Sequence, residues 1–501
     1  MVAALIVDTW MVTVEDLRKC VKDGLQFVKS QKNVRDAEIF ASWNDQLTVR
    51  INYTSDIPCN GVQEPKNISG YGVGVLVVFD TSDGITIGFG SDTGDLTLEG
   101  LERALNKARR GAVNDPDFKS LPFSSDESPK LTSYHDKRIM ELEDEEMVSL
   151  GWRALKGALL TFKESGYKRS LIVGGDVTIL KEKIAIANTL GIDNYDESTA
   201  LMSSITAMVE EKDAKGTGWA TATHIDNFKP EESGEMAARS AISTIGGKRI
   251  QSGKYNVVFG RQAVATLFSE LIVSSLSLSS IDSGNSPFVG RLGERVASDI
   301  VCIYDDGARA GEVSSKKITC EGLPTGRTDL IEKGRLVGFL ANHYYSKKYE
   351  SNVRKFTPRN GFRFGGGGRD FRHPASISAT NIVIEGTREV TSEKLISRIK
   401  NGIYIGRLWY LYPVHGLARA DFTGTVIGDS YIIRNGKLVE PLKPNTVRIS
   451  DNFVKLLQNI TAISKEKKST ITWGSEEVVI APELAVKGIN LENIAEFVEE
   501  L

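Results

Sequence analysis

The strongest constraint on the fold of this chain is a change of pattern near residue 250. Before that point, amphipathic helices and groups of strands follow one another in an irregular order, whereas afterwards short strands and glycine turns predominate. The 501 residues also exceed what one hydrophobic core usually serves. We therefore predict an α+β protein. A mixed α/β-sheet domain over residues 1–250 would precede a β-rich, barrel-like domain over 251–465 and a strand/helix tail over 466–501.

The N-terminal half contains four clear helix patterns and several strand patterns. The first helix follows Thr13, which can cap it together with Asp16. The run GVGVLVVFDTSDGITIGFG predicts two strands joined by a turn at Thr81–Gly84. The remaining predictions are helices in TLEGLERALNKARRG, Asp144–Lys163 and EESGEMAARSAISTIGG, and strands in LTVRINY, Ser170–Val173, Ala200–Met208 and Gly218–Ile225, the last two forming a hairpin.

The C-terminal half is predicted to be mainly short strands. Helices are expected only at Arg261–Leu276 and near Ser392–Asn401. Tight turns such as EKG and RNG separate the strands, as in many β-rich domains. The final segment GINLENIAEFVEEL has the spacing of a short acidic helix.

Composition excludes several classes of protein. A formal net charge of -3 argues against a dedicated nucleic-acid binder. No run of about 18 apolar residues predicts a membrane span, and the apolar N-terminus is interrupted by Asp8 and lacks the basic flank of a signal peptide. The four cysteines are far apart, which suits a reducing compartment. We therefore expect a cytoplasmic protein with no membrane or nucleic-acid partner.

The sequence contains no recognisable common motif for catalysis or metal binding. The five histidines show no HxH, HxxxH or HExxH spacing, and no GxSxG elbow accompanies a serine. GFGSDTG has the spacing GxGxxxG, so a plain strand–turn–helix connection is favoured over a phosphate loop. Asp305 and Asp306 follow a strand, where a turn is a simpler interpretation than a metal-binding or proton-sharing pair.

A glycine run between two arginines is a candidate binding loop. Successive glycine amides can form a concave anion site or let another backbone approach closely. Its residues are Arg363, Gly365, Gly366, Gly367, Gly368 and Arg369. A flexible loop with solvated arginines is the alternative.

Glu270 interrupts an otherwise apolar helix, LFSELIVSS. Residues at i, i+3, i+4 and i+7 form the face expected to enter the core, and Glu270 lies off that face with Ser269 and Ser274. On this pattern alone, Glu270 would be a solvated surface carboxylate.

Several long motifs resemble the TldD/PmbA peptidase family, whose members are also called modulators of DNA gyrase. The most specific is EGLPTGRTDLIEKGRLVGFL at Glu321–Leu340. LGERVASDIVCIYDDG, HPASISATNIVIEG and GIYIGRLWY…ADFTGTVIGDSYIIRNGKL follow in the family's pattern, and so do LTVRIN, GVGVLVV and DPDFKSLP in the first half. The resemblance covers roughly residues 10–460. It implies an α+β domain followed by a β-rich domain, as the residue patterns predict.

The resemblance also identifies what is missing. TldD-type members carry HExxxH on the helix before the GERVAS region, where two histidines bind zinc and the glutamate serves as general base. Two ligands that are five residues apart can share one face of a helix only if the helix is locally irregular. Here Ser269 and Ser274 replace the histidines, and only Glu270 remains. The family's cysteine ligand would fall at Val426, Ile427 or Gly428. We therefore expect no metal in this chain, with Glu270 a relic or a partner for an arginine such as Arg291.

The implied role is that of the PmbA (TldE) type, which lacks the zinc motif. Such a chain would complete a shared cavity with a TldD-type subunit that supplies zinc, and the pair would cleave unfolded peptides; a homodimer is the other assembly. Substrate-binding candidates are Arg327, Arg363, Gly365–Gly368 and Arg369, each with an internal structural role as the alternative. Two other functions stay open. One is a self-sufficient hydrolase with an unrecognised site, which either binds metal through other ligands or uses Ser269 or Ser274 as nucleophile; the other is a non-proteolytic scaffold or regulator.

Overall fold

A computed structural model describes residues 12–57, 60–124, 131, 134–351, 355–365, 368–472 and 474–495. It confirms a mixed α/β architecture, with an N-terminal sheet followed by a curled C-terminal sheet. No helix in these ranges has the length and apolarity needed to cross a membrane.

The N-terminal half is built on one antiparallel sheet with the strand order β4-β3-β1-β5-β6-β7, to which β2 is added beside β1. The element bounds are α1 Val14–Lys29, β1 Val34–Thr54, β2 Gly61–Val62, β3 Lys66–Thr81, β4 Gly84–Thr93, α2 Leu98–Arg110, α3 Lys137–Met140, α4 Asp144–Glu164, β5 Leu171–Asn188, β6 Asp193–Val209, β7 Ala214–Ala222 and α5 Pro230–Ser243. The four helices, the β3–β4 turn and the β6–β7 hairpin predicted from the sequence are all present. Thr13 and Asp16 form the expected capping box.

The C-terminal half contains a ten-stranded sheet, a six-stranded sheet and a two-stranded ribbon. Its elements are β8 Gly253–Phe259, α6 Arg261–Leu267, a π-helix Phe268–Val273, α7 Leu278–Asp282, β9 Val301–Asp306, β10 Arg327–Glu332, β11 Arg335–Leu336, α8 His343–Lys348, β12 Gly361–Phe362, β13 Ser376–Ile377, β14 Asn381–Gly386, β15 Glu389–Val390, α9 Ser392–Ser397, β16 Asn401–Ile405, β17 Leu408–Pro413, β18 Asp421–Val426, β19 Ser430–Arg434, β20 Lys437–Pro441, β21 Val447–Asn452, α10 Phe453–Gln458, β22 Ile460–Ser464, β23 Lys468–Thr470, β24 Val478–Ala481 and β25 Leu484–Asn493.

The predicted acidic helix at the C-terminus is wrong where the structure describes it. Residues 488–493 form the end of β25, which pairs with β8 and β21 inside the ten-stranded sheet. Its alternating side chains bury Ile489 and Leu491, so the period of two outweighs helix propensity. Residues 496–501 lie outside the described ranges.

The two faces of the N-terminal sheet have different partners because side chains alternate along each strand. Odd-numbered residues of the central strands contribute to the apolar cores that also contain residues of α1, α2, α4 and α5. Examples are Val49, Ile51, Val177, Ile179, Leu201 and Ile205. At one end of the opposite face, Phe40, Ile184 and Ile186 pack against C-terminal residues such as Ile318 and Phe362. Much of the rest of that second face lines a cavity and includes polar residues such as Thr178, Glu182 and Ser204.

Candidate functional site

A cavity of about 550 Å³ lies between the second face of the N-terminal sheet and the C-terminal half. Its floor is formed by even-numbered residues of β1, β5 and β6, namely Gln46, Thr178, Leu180, Glu182, Met202 and Ser204. The opposite wall consists of α6, the π-helix, the start of β17, Thr472 and residues 474–478. The strand periodicity therefore explains why so many polar residues occur in the middle of buried strands.

The helix that carries Glu270 is irregular, as the spacing of five required. Regular α-helix α6 ends at Leu267, and a π-helix follows from Phe268 to Val273. Five residues in an α-helix differ by about 140° in direction, whereas the wider π-helical turn brings them closer to one face. Ser269 and Ser274 accordingly line the same second cavity, of about 470 Å³.

Glu270 borders both cavities and remains exposed. Partial loss of hydration raises the pKa of its carboxyl, and repulsion from Glu477 adds to the effect. Burial likewise raises the pKa of Glu477. The suggested partner for Glu270, Arg291, pairs instead with Glu294 at 2.9 Å, so that expectation is wrong.

The residues at this site do not fit zinc. The helix presents two serine hydroxyls and one carboxylate, and hydroxyls are poor zinc ligands beside imidazole or thiolate. Val426, Ile427 and Gly428 bring no thiol, and the Ile427 amide donates to the backbone of Arg407 at 3.1 Å. Within the described ranges, no three His, Cys, Asp or Glu side chains converge as a metal site requires.

The described residues around both cavities also include no histidine. A serine nucleophile normally needs a base within hydrogen-bonding distance, and an imidazole is the usual one. Among the described residues, no imidazole therefore lies beside Ser269 or Ser274. Asp306 accepts the Ala308 amide at 3.1 Å, as in the predicted turn, whereas Asp305 is buried and accepts the distant Thr380 amide at 2.7 Å.

The two arginines of the glycine loop are internal, which is the structural alternative left open by the sequence. Arg363 donates to Glu38 at 2.5 Å, and its guanidinium also bonds the His373 carbonyl at 3.0 Å. Arg369 is fully buried and bonds Asp196 at 2.7 Å. Both guanidinium groups are therefore occupied in joining the N-terminal sheet to the C-terminal half.

The glycine loop itself only partly reaches the cavity. Gly368 lines the larger cavity, and its carbonyl accepts the Gly365 amide at 3.1 Å. Gly366 and Gly367 lie outside the described residues. Arg327 borders neither cavity: it stacks over Tyr304 at 3.6 Å and pairs with Asp329 at 2.8 Å on the surface.

Sequence reasoning missed most of the residues that line the larger cavity. The aromatic residues Trp219, Trp409 and Tyr410 lie in its wall, as does Arg407. Tyr410 is 74% exposed on β17, which is an edge strand of the ten-stranded sheet. Edge strands are usually protected against pairing with other chains, so exposed aromatic side chains on such a strand are unusual. The sequence could not show this feature, because only the fold reveals that β17 is an edge strand.

Comparison with known proteins agrees with this fold. The central-domain profile of the PmbA/TldA metallopeptidases matches residues 141–245, and the C-terminal-domain profile matches residues 252–493. A metalloprotease TldD homolog of Buchnera aphidicola is 25% identical, covering 81% of this chain and 82% of that protein.

Two solved structures have the same overall fold. TldE from Thermococcus kodakarensis superposes with a TM-score of 0.77 at 19% identity, covering 95% of this chain and all of that one. A structure titled as a modulator of DNA gyrase from Bacteroides thetaiotaomicron gives a TM-score of 0.75 at 18% identity, covering 97% and 100%. With both profiles spanning well over half its length, the chain belongs to the PmbA/TldA metallopeptidase family.

Proposed function

We propose that this chain is the non-metal-binding subunit of a TldD/TldE-type peptidase assembly. In this proposal it completes a peptide-binding cavity, while a partner with an intact HExxxH motif supplies the zinc and the activated water. Sparse cysteine favours a cytoplasmic location. The partner and the unfolded-peptide substrate are parts of the proposal.

One observation carries the proposal: the chain has the π-helix but not the two histidines that would bind zinc in an HExxxH motif. Ser269 and Ser274 line one cavity beside Glu270, in the positions that two zinc-binding histidines would occupy. The cavity wall is therefore present, and the donor atoms for a metal are absent. Such a chain can bind and orient a peptide but has no evident means of activating water.

The test begins with the zinc content of the chain purified alone without a histidine tag. We expect well below 0.1 zinc per chain and no cleavage of an unfolded peptide such as reduced, carboxymethylated lactalbumin. Mixing with a TldD-type HExxxH chain from the same genome should give a stable complex that cleaves the peptide. About one tightly held zinc per chain, or cleavage by the chain alone that survives chelators, would overturn the proposal.

A matched pair of variants separates the roles of the two subunits. Glu270→Gln in this chain should leave the cleavage rate of the complex within about twofold, because Glu270 has no metal-bound water to deprotonate. The same substitution at the HExxxH glutamate of the partner should lower the rate at least 100-fold, as expected for loss of a general base.

A further inference from the structure

Arg407 is a cation in the wall of the larger cavity whose only described counter-charge, Asp429, forms no ion pair within 4 Å with it. It lies between β16 and β17, directly before the cavity-lining residues Leu408–Leu411. Its backbone carbonyl is occupied by the Ile427 amide. Its guanidinium donates no hydrogen bond and has no carboxylate within 4 Å in the described part of the chain.

The environment of Arg407 makes this lack of a partner costly. Burial lowers the pKa of Arg407 to about 10, and attraction from Asp429 only partly opposes the effect. The guanidinium therefore stays charged at neutral pH while it has lost much of its hydration. A charge in that state is normally paired and hydrogen-bonded, because the loss of hydration is otherwise unfavourable.

The other cation of the lining behaves differently. Lys316 is buried, pairs with Glu182 and donates to Ser198 at 3.1 Å. Its charge is thus compensated inside the protein, as that of a structural lysine should be. Among the described lining residues only Lys316 and Arg407 are cationic, so Arg407 is the one left available for an anionic ligand.

The rest of the cavity restricts which anion can bind. The carboxylates of Glu270, Glu476 and Glu477 border both cavities, whereas Arg407 borders only the larger one. They repel a multiply charged anion such as a phosphate ester and attract an amino group. Apolar and aromatic residues near Arg407, including Leu411, Trp409 and Tyr410, suit a peptide rather than a small hydrophilic ion.

We propose that Arg407 binds the free C-terminal carboxylate of the peptide, with the peptide chain running from there toward the wall that carries Glu270. The planar guanidinium fork matches a carboxylate in a two-bond arrangement. This inference rests on the proposed peptide-binding role, which it deepens by specifying one end of the substrate. The chain then selects peptides that end inside the cavity over internal segments of a longer polypeptide.

The test is direct binding to the full-length chain alone, measured by calorimetry. The probes are a six-residue peptide of Ala, Ser and Leu with a free carboxyl end, the same peptide as the C-terminal amide, and the amide with one internal Asp. The wild-type chain should bind the free acid at least tenfold more tightly than either amide. In a competition experiment, about 1 mM inorganic phosphate should not displace the peptide with the free carboxyl end.

Substitution of Arg407 should remove this selectivity without unfolding the chain. Arg407→Gln is expected to bind the acid as weakly as the amide, and Arg407→Lys, which keeps the charge but loses the fork, should fall between. Arg434→Gln is the matched control, because Arg434 is exposed and pairs with Glu440 at 3.1 Å away from the cavity. It should keep the full acid preference. Thermal midpoints of all variants establish that they are folded.

Other results of the binding measurements contradict the assignment of Arg407. Equal binding of acid and amide by the wild type, or no binding of either, removes the C-terminal carboxylate as the ligand. Tight binding of the Asp-containing amide would indicate an acidic side chain instead, and displacement by phosphate would indicate a general oxyanion site. A wild-type chain that retains zinc yet prefers the acid would overturn the proposed division of labour and leave the role of Arg407 intact.

Discussion

The amino group of Lys316 and the carboxylate of Glu182 form a buried ion pair between the two halves of the chain. Burial alone would raise the pKa of Glu182, but Lys316 and Arg369 outweigh that effect and hold it at about 2. The Arg369 amide adds a hydrogen bond to the same carboxylate at 2.7 Å. The floor of the cavity is thus fixed to the C-terminal half through charges that no longer contact bulk water.

Removing one member of this pair should be strongly destabilising. Lys316→Met leaves Glu182 in the interior with less compensation, so we expect a loss of roughly 3–5 kcal/mol, visible as a fall of several degrees in the thermal midpoint. Lys229→Met is the control, because Lys229 and Glu232 are 3.7 Å apart and both more than half exposed. It should change stability by less than about 1 kcal/mol. Equal effects of the two substitutions would refute the structural role of Lys316.

The same charges explain where the sequence-based prediction of the fold fell short. β5 and β6 were predicted as Ser170–Val173 and Ala200–Met208, but they extend over 171–188 and 193–209. The charged run Lys181, Glu182, Lys183 lies in the part of β5 beyond the predicted strand, and these residues are buried. Its compensation comes from residues such as Lys316 and Arg369, more than 130 positions away, and a local pattern cannot contain that information.

Close packing of α2 on β4 gives a second test of the fold. A Cβ atom added to Gly90 would lie 2.1 Å from the backbone oxygen of Ala104, a contact that requires the helix to move. Gly90→Ala should therefore lower the free energy of unfolding by about 1–3 kcal/mol. Gly70→Ala, on the neighbouring strand β3 with no atom within 4 Å of the added Cβ, should be nearly neutral. Urea unfolding of both variants checks this, and a neutral Gly90→Ala would contradict the packing.

His343 should make stability depend on pH. Burial, with a smaller contribution from Lys347, lowers the pKa of His343 to about 4, and its Nε2 lies 3.3 Å from the Ser120 hydroxyl. The unfolded chain takes up the proton near pH 6.5, so stability is fully present above that pH and is lost as the pH falls toward 4. At about 1.4 kcal/mol per pKa unit, the loss approaches roughly 3 kcal/mol.

The measurement is the thermal midpoint from pH 8 to 4.5 for the wild type and His343→Gln. The variant should be less stable at pH 8 but should show a smaller decline below pH 6.5. Glu321, whose pKa burial raises to about 8, contributes with the opposite sign and is common to both proteins. His415→Gln, at an exposed position, should retain the full wild-type decline. Parallel curves for wild type and His343→Gln would exclude His343 as the titrating group.

The site could be predicted from the sequence only where it depends on residues that are close together in the chain. The spacing of Ser269 and Ser274 required an irregular helix, and the structure confirms one. Arg363 and Arg369 were proposed as ligand contacts because their acidic partners, Glu38 and Asp196, are far away in the chain. Arg407 carried no local signal at all, since its significance lies in its position in the cavity wall, which only the fold reveals.

The π-helix allows a direct test of the proposed relation between this site and the HExxxH zinc site. If its geometry is intact, restoring the two ligands should restore part of the affinity, because Ser269 and Ser274 already line one cavity next to Glu270. The double variant Ser269→His, Ser274→His should bind about one zinc per chain, more weakly than a complete site because no cysteine is present. Each single variant should bind at least tenfold more weakly, since one imidazole has no second ligand to act with. Equilibrium dialysis against zinc at neutral pH measures this directly. A double variant that binds no better than the single ones would mean that the two positions do not converge, and that the helix is unrelated to a former metal centre.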